Sequence, residues 1–263
     1  MSNFQEWFYT DNVDYRQGSP HLNHWPLYER LVATIRQQLT ALEQVGLPLT
    51  VLELGAGHGG FTETCLAFGC EVNAIEISQT SIAGLERRFS QNTRFAASYD
   101  PEGDLAGISG SYSLVLCVSV LHHIPDYLTS LTQATKFLAP GGSLVSLQDP
   151  LWYARMDQKT LRLDSFGYAL WRAHQGNIVR GLATRARRRV RGGLDENNPA
   201  DMVEYHVMRD GVDEEAISTF CQSRFADSHL LRYWSNQSGL IQRLGDRMHM
   251  ANTFGVIATG CQP

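Results

Sequence analysis

The chain has no apolar run near the roughly 18 residues that a membrane-spanning helix needs, which argues against a membrane protein. Its first stretch, MSNFQEWFYTDNVDYRQ, has neither the basic flank nor the apolar centre of a signal peptide, so a cytoplasmic protein is expected. Cysteine is scarce and unpatterned. Cys65, Cys70, Cys117, Cys221 and Cys261 are odd in number and form no CxxC or Cys/His ligand spacing, so neither a disulfide framework nor a metal site is expected. Basic residues are also too few to attract polyanions: 22 Lys and Arg stand against 27 Asp and Glu, a formal charge of -5. That balance argues against bulk binding to nucleic acid or to an anionic membrane, with one local exception in RGLATRARRRVRGG, Arg180 to Gly193. Repeats and low-complexity tracts are absent. With 43% hydrophobic and 19% charged residues over 263 positions, the composition excludes disorder and supports one well-buried core plus an appended cap.

What is present is an alternation. WPLYERLVATIRQQLTALEQVG carries apolar residues at three and four spacing, and Gly46 and Pro48 stop it, so residues 1–48 read as an N-terminal helical segment. Then LTVLEL, CEVNAIEIS, TRFAAS, SYSLVLCVSVL and SLVSLQD read as five strands. FTETCLAFG, SIAGLERRFSQ and TSLTQATKFLAPGG, the last ended by Pro140 and Gly141, read as intervening helices. Strands separated by helices imply right-handed parallel crossovers, hence an α/β, Rossmann-like, doubly wound and mostly parallel seven-stranded sheet. Residues 49–150 are its cofactor-binding core. The rhythm breaks over 151–224, expected as a helical cap inserted between strands five and six. It resumes over 225–263, where SHLLRYWS and NTFGVIATG are positioned to pair at the sheet edge.

The stretch VLELGAGHGG raises the functional question. Gly55, Gly57 and Gly60 have the spacing of a strand-to-helix turn in which bare backbone approaches a ligand and a helix N-terminus offers free N–H groups. Any adenosine cofactor suits that turn. Glu76, at the end of the second strand about 20 residues on, is placed to accept from both ribose hydroxyls. Glu53 separates the alternatives: a carboxylate there would repel the diphosphate of NAD, whereas S-adenosylmethionine brings an ammonium and a sulfonium.

Four segments in order, VLELGAGHGGF, IEIS, SLVLCVSVLHHIPD and FLAPGGSLV, resemble the class I S-adenosylmethionine-dependent methyltransferase family, particularly its small-molecule branch, over about Thr50 to Asp149. The resemblance implies that Glu53, Gly55, Ala56 and Gly57 line the methionine portion, that Glu76 holds the ribose and Ile77 packs on the adenine, and that Cys117 and Val118 run along the cofactor. The family's adenine-binding Asp after the third strand has no clean counterpart in SYDP, and Asp100 is the candidate. Ser113 stands where many relatives begin the fourth strand with Asp.

Methyl transfer needs proximity and, for some acceptors, a base. His123, with His122 as alternate, follows the fourth strand at the sheet edge where ligands of open α/β sheets bind. Either could instead hold loop backbone. Asp149 at the end of strand five is a candidate substrate contact or a helix cap, and Tyr15 a candidate substrate contact in an N-terminus that would close over the site. The expected function is methylation of oxygen or nitrogen on a small organic acceptor such as a sugar or natural product, releasing S-adenosylhomocysteine. Methylation of RNA through the arginines, an NAD-dependent oxidoreductase and a non-catalytic adenosine-cofactor-binding protein are the alternatives; no feature assigns an oligomeric state.

Overall fold

The computed structural model describes residues 19–175 and 211–262. Tyr15 and the arginines from Arg180 to Arg191 lie outside the described residues, as does most of the expected cap beyond its first helix.

A single helical turn, Pro20–Asn23, leads into α1 (Trp25–Gln44), which presents Leu27, Leu31, Ile35, Leu39 and Leu42 along one buried stripe. Spacings of four, four, four and three put these five on one face of a 3.6-residue helix. Each such side chain contributes about 1.5–3 kcal/mol when fully buried. The alternation follows: β1 (Thr50–Leu54), α2 (Gly60–Phe68), β2 (Glu71–Glu76), α3 (Gln79–Arg88), β3 (Phe95–Tyr99), β4 (Tyr112–Val118), α4 (Tyr127–Thr135) and β5 (Leu138–Pro150). After these come α5 (Gln158–His174), α6 (Glu214–Gln222), β6 (Phe225–Tyr233), α7 (Gly239–Arg247) and β7 (Thr253–Cys261).

The seven strands order β3-β2-β1-β4-β5-β7-β6, parallel through β5, with β7 antiparallel to both β5 and β6. The doubly wound, mostly parallel sheet is the expected one, and β6 and β7 pair at the edge as their position implied. Strand order reverses between β1 and β4, so the crevice beyond their carboxyl ends is where a ligand belongs. Two apolar layers sandwich the sheet. On β1, Val51 packs with α1 and α2, whereas Leu52 and Leu54 join the opposite layer with Leu131 of α4 and Ile217 of α6. By that alternation Glu53 faces α2. α6, inside the 151–224 stretch expected as cap, buries Ile217 and Cys221 against the sheet and is part of this helical layer.

Two elements depart from their expected bounds. The helix over TSLTQATKFLAPGG stops at Thr135, and Pro140 and Gly141 fall inside a longer β5. The register against β4 shifts between Tyr112 and Leu114, an irregularity that tolerates a proline lacking a ladder donor. The tight glycine of the ligand turn is also Gly59 rather than Gly60. Gly59 has φ 77, and a Cβ there would lie 2.6 Å from the Phe89 ring, whereas a Cβ on Gly60 would meet only the Tyr28 hydroxyl at 3.7 Å. Ser113, buried at the start of β4, exchanges hydrogen bonds with Thr50: its hydroxyl donates to the Thr50 carbonyl at 3.0 Å, and its N–H donates to the Thr50 hydroxyl at 3.1 Å.

Candidate active site

The carboxyl ends of β1 and β2 form one half of the site. β1 ends in Gly55, at φ 65, and the chain turns through Gly57, at φ 56, into α2. L-residues pay for this left-handed backbone and glycine does not. At Gly55 space is also limiting, because a Cβ would lie 2.7 Å from the Val120 Cγ2, whereas a Cβ on Gly57 would meet nothing within 4 Å. The Gly57 edge of the turn therefore faces open space, and it borders a groove of about 670 Å³ shared with His58 and the first turns of α3. Ala56 lies half-buried between these two glycines.

Two buried carboxylates flank this turn. Glu53 accepts from the Thr62 hydroxyl at 2.5 Å, and burial, opposed in part by that bond, pushes its pKa up to about 8. Glu76 accepts from the Gly57 N–H, and burial, opposed by that bond and by the Ile77 N–H, pushes it up to about 7. Each charge raises the cost of the other, and among the described residues neither has a cationic partner. Desolvated carboxylates are normally paired or neutral. A ligand bearing fixed positive charge at Glu53 and a diol at Glu76 would satisfy both.

The remaining cofactor candidates are placed around this half. Cys117 is fully buried with its thiol pKa pushed far up by desolvation, Val118 ends β4 half-buried, and Ile77 follows Glu76 directly. Asp100 lies just past β3, but its two oxygens accept from the N–H groups of Gly103 at 3.1 Å and Leu105 at 2.9 Å. In this structure the carboxylate folds its own loop.

β4 and β5 build the other half. After β4, Ser119 takes φ 61 and a 3-10 turn at Leu121–His123 carries both histidines. His122 is buried with its Nδ1 2.7 Å from Asp149 Oδ1, and its backbone N–H donates to the same oxygen at 3.1 Å. Asp149, fully buried at the end of β5, also accepts from the Ser146 hydroxyl at 3.3 Å. Its oxygens are thus occupied by His122 and Ser146. His123 is half-buried, its ring 4.0 Å from that of His122. A carboxylate fixing one imidazole nitrogen leaves the other with a defined tautomer, the arrangement of an oriented base.

Sequence reasoning did not single out Gln148 or Asp164. Gln148 adopts φ 69 in a bulge of β5, and Asp164 on α5 accepts from Asn252 at 2.7 Å and Asn236 at 2.9 Å, fastening α5 to the β6 and β7 side. Their partners lie 72 to 88 residues away. No local pattern announces such contacts.

A family profile described as "Methyltransferase domain" matches residues 25–180, more than half of the chain. A ubiquinone biosynthesis O-methyltransferase of Xanthomonas campestris pv. campestris (strain B100) is 31% identical over 105 residues, covering 38% of this chain and 44% of that protein. A highly reducing polyketide synthase of Strobilurus tenacellus is 32% identical over 108 residues, 37% of this chain but 4% of that protein. The chain thus spans less than half the length of these curated relatives. Among solved structures, the N-methyltransferase NodS from Bradyrhizobium japonicum WM9 in complex with S-adenosyl-L-homocysteine aligns with TM-score 0.55 and 16% identity over 100% of this chain and 98% of its own. The plantazolicin methyltransferase BpumL aligns with TM-score 0.57 and 10% identity over 98% and 95%. At those identities the likeness is one of fold.

Proposed function

The chain belongs to the methyltransferase-domain family, and on that premise we propose that it is an S-adenosylmethionine-dependent methyltransferase acting on the oxygen or nitrogen of a small organic acceptor. The observation that carries this reading is the pair Glu53 and Glu76, buried carboxylates without cationic partners among the described residues, on either side of a glycine turn. When bound, S-adenosylmethionine supplies an electrophilic methyl group. Glu53 would face the charged methionine portion, Glu76 would accept from the ribose hydroxyls, and Gly55 to Gly57 would let the backbone close on the ligand. Ile77 would pack against the adenine and Cys117 and Val118 would border the cofactor, while Asp100 holds its own loop.

In the other half, His122 takes the acceptor's proton while Asp149 holds its ring, the partnership that favours His122 over its neighbour His123. His123 contacts the acceptor. Electrostatics favour a small molecule over RNA, since the net charge is -5 and the six arginines of Arg180 to Arg191 are followed in sequence by the acidic DMVEYHVMRDGVDEE segment.

Thermal unfolding with ligands tests the reading. A ligand that binds only the folded state adds about 2.7 kcal/mol at a hundred times its Kd, so S-adenosylhomocysteine should raise Tm and NADH should not. A shift with NADH alone overturns it. RNA retention that survives moderate salt and disappears on reversing the Arg180 to Arg191 charges would instead favour an RNA substrate.

A further inference from the structure

At the carboxyl edge of β5, one residue is both strained and incompletely bonded. Gln148 sits at φ 69, a left-handed conformation that a β-strand residue other than glycine rarely adopts. The β5–β7 register jumps from Leu147↔Gly255 to Asp149↔Phe254, so Gln148 is the extra residue of a bulge. Its N–H leaves the ladder and donates to the Tyr233 hydroxyl at 2.8 Å. Its side chain is only 6% exposed; Nε2 donates to the Ser235 hydroxyl at 2.5 Å, and Oε1 has no hydrogen-bond partner among the described residues.

A buried amide oxygen without a donor is unfavourable, and so is left-handed backbone on glutamine. Glycine would relieve the second and an apolar side chain the first, yet the fold holds this amide from both sides. Tyr233 fixes its backbone, and Ser235 fixes its nitrogen. Ser235 is held in turn, its N–H donating to Asn252 Oδ1 at 2.8 Å, and Asn252 donates to Asp164 of α5 at 2.7 Å. An anchored nitrogen aims the oxygen. The residue after Gln148 is Asp149, 2.7 Å from His122, so this oxygen belongs to the same strand end as the proposed base.

We propose that Gln148 is a substrate-contacting residue whose Oε1 accepts a hydrogen bond from an O–H or N–H of the methyl acceptor, so that acceptors carrying such a donor are preferred over those already alkylated there. This rests on the methyltransferase reading for the identity of the ligand, though not for the geometry of the amide. A site built around an unpaired polar atom rejects a ligand that leaves it unpaired.

The test uses the full chain and two neutral probe pairs, phenol against anisole and aniline against N,N-dimethylaniline, titrated by ligand-observed NMR with and without S-adenosylhomocysteine. The donor-bearing member of each pair is expected to bind about tenfold more tightly, the size of one net hydrogen bond. Gln148→Leu should abolish that preference, and Ser235→Ala, which frees the amide nitrogen without touching the bulge, should reduce it. Should Gln148→Leu fail to fold, Ser235→Ala decides. Equal binding within the pairs in the unsubstituted protein, or a preference that survives these substitutions, overturns the proposal. S-adenosylhomocysteine binding is read separately in the same samples. Its failure would strike the methyltransferase reading while leaving the donor preference to judge Gln148.

Discussion

Buried acids are handled in opposite ways at the two ends of the sheet's ligand edge. Glu53 and Glu76, on β1 and β2, are desolvated, pushed up to about 8 and 7, and among the described residues bonded to a hydroxyl and to backbone N–H groups with no cationic partner. Asp149, on β5, has an imidazole at 2.7 Å, and Asp164, packed beside β6 and β7, has two side-chain amides. The first half carries acids without a cationic partner among the described residues. The second half is organised in advance by its own side chains. On the proposed reading the first half binds a cationic cofactor and the second orients a proton acceptor, and substitutions should separate the two.

The largest effect should fall on the organised half. His122→Ala should lower methyl-transfer turnover by about two to four orders of magnitude and remove the acidic limb of the pH-rate profile, with S-adenosylhomocysteine affinity by calorimetry unchanged. Asp149→Asn should do the same more weakly. If His123→Ala has the large effect and His122→Ala a small one, the base has been assigned to the wrong imidazole.

Next is the glycine turn. Gly55→Ala forces a side chain into left-handed backbone 2.7 Å from the Val120 methyl, so S-adenosylhomocysteine affinity should fall by about tenfold or more. Gly57→Ala has the same backbone penalty but open space, and its loss should be smaller. Equal losses would mean that steric closeness to β4 is irrelevant.

The unpaired acids should appear as pH dependence. Both Glu53 and Glu76 have folded values raised by burial above the ordinary carboxylate value, so the folded state holds more protons than the unfolded one between that value and about 7 to 8. Stability therefore falls as pH rises through that window. His21, buried and lowered to about 4, acts oppositely but only below its unfolded value of 6.5. Between pH 6.5 and 8 the ligand-free protein should thus lose about 1–2 kcal/mol, readable by urea unfolding. Saturating S-adenosylhomocysteine, which brings an ammonium, should flatten the slope, and Glu53→Gln should flatten it without ligand. A flat profile in the ligand-free protein would show that these carboxylates are already compensated.

The smallest effect is expected at Thr62, the hydroxyl that bonds Glu53. Thr62→Val should cost about 1 kcal/mol and push the Glu53 titration higher, since the hydrogen bond favours the charged form.

Strand and helix order, the parallel sheet and the glycine turn were legible in the chain because they rest on local periodicity. Alternating apolar residues such as Val51 and Leu52 mark the two faces of a strand, and the stripe from Leu27 to Leu42 marks a helix. Glu53 and Glu76 were legible for the same reason, being acids at the ends of apolar runs. What tertiary structure alone decided were partners distant in sequence. His122 and His123 are neighbours in the chain, and the carboxylate 27 positions on bonds the ring of His122. Gln148 reads as the end of a strand, yet Tyr233 and Ser235, 85 and 87 positions away, hold it in a bulge with its amide oxygen unpaired among the described residues. Gly59 proved the tight glycine because Leu85 of α3 and Phe89 just past its end leave no room for a Cβ there. Backbone preference and hydrophobic period act over a few residues. Side-chain hydrogen bonding and close packing act through space, so the chemistry of the site emerges only when the sheet brings its strand ends together.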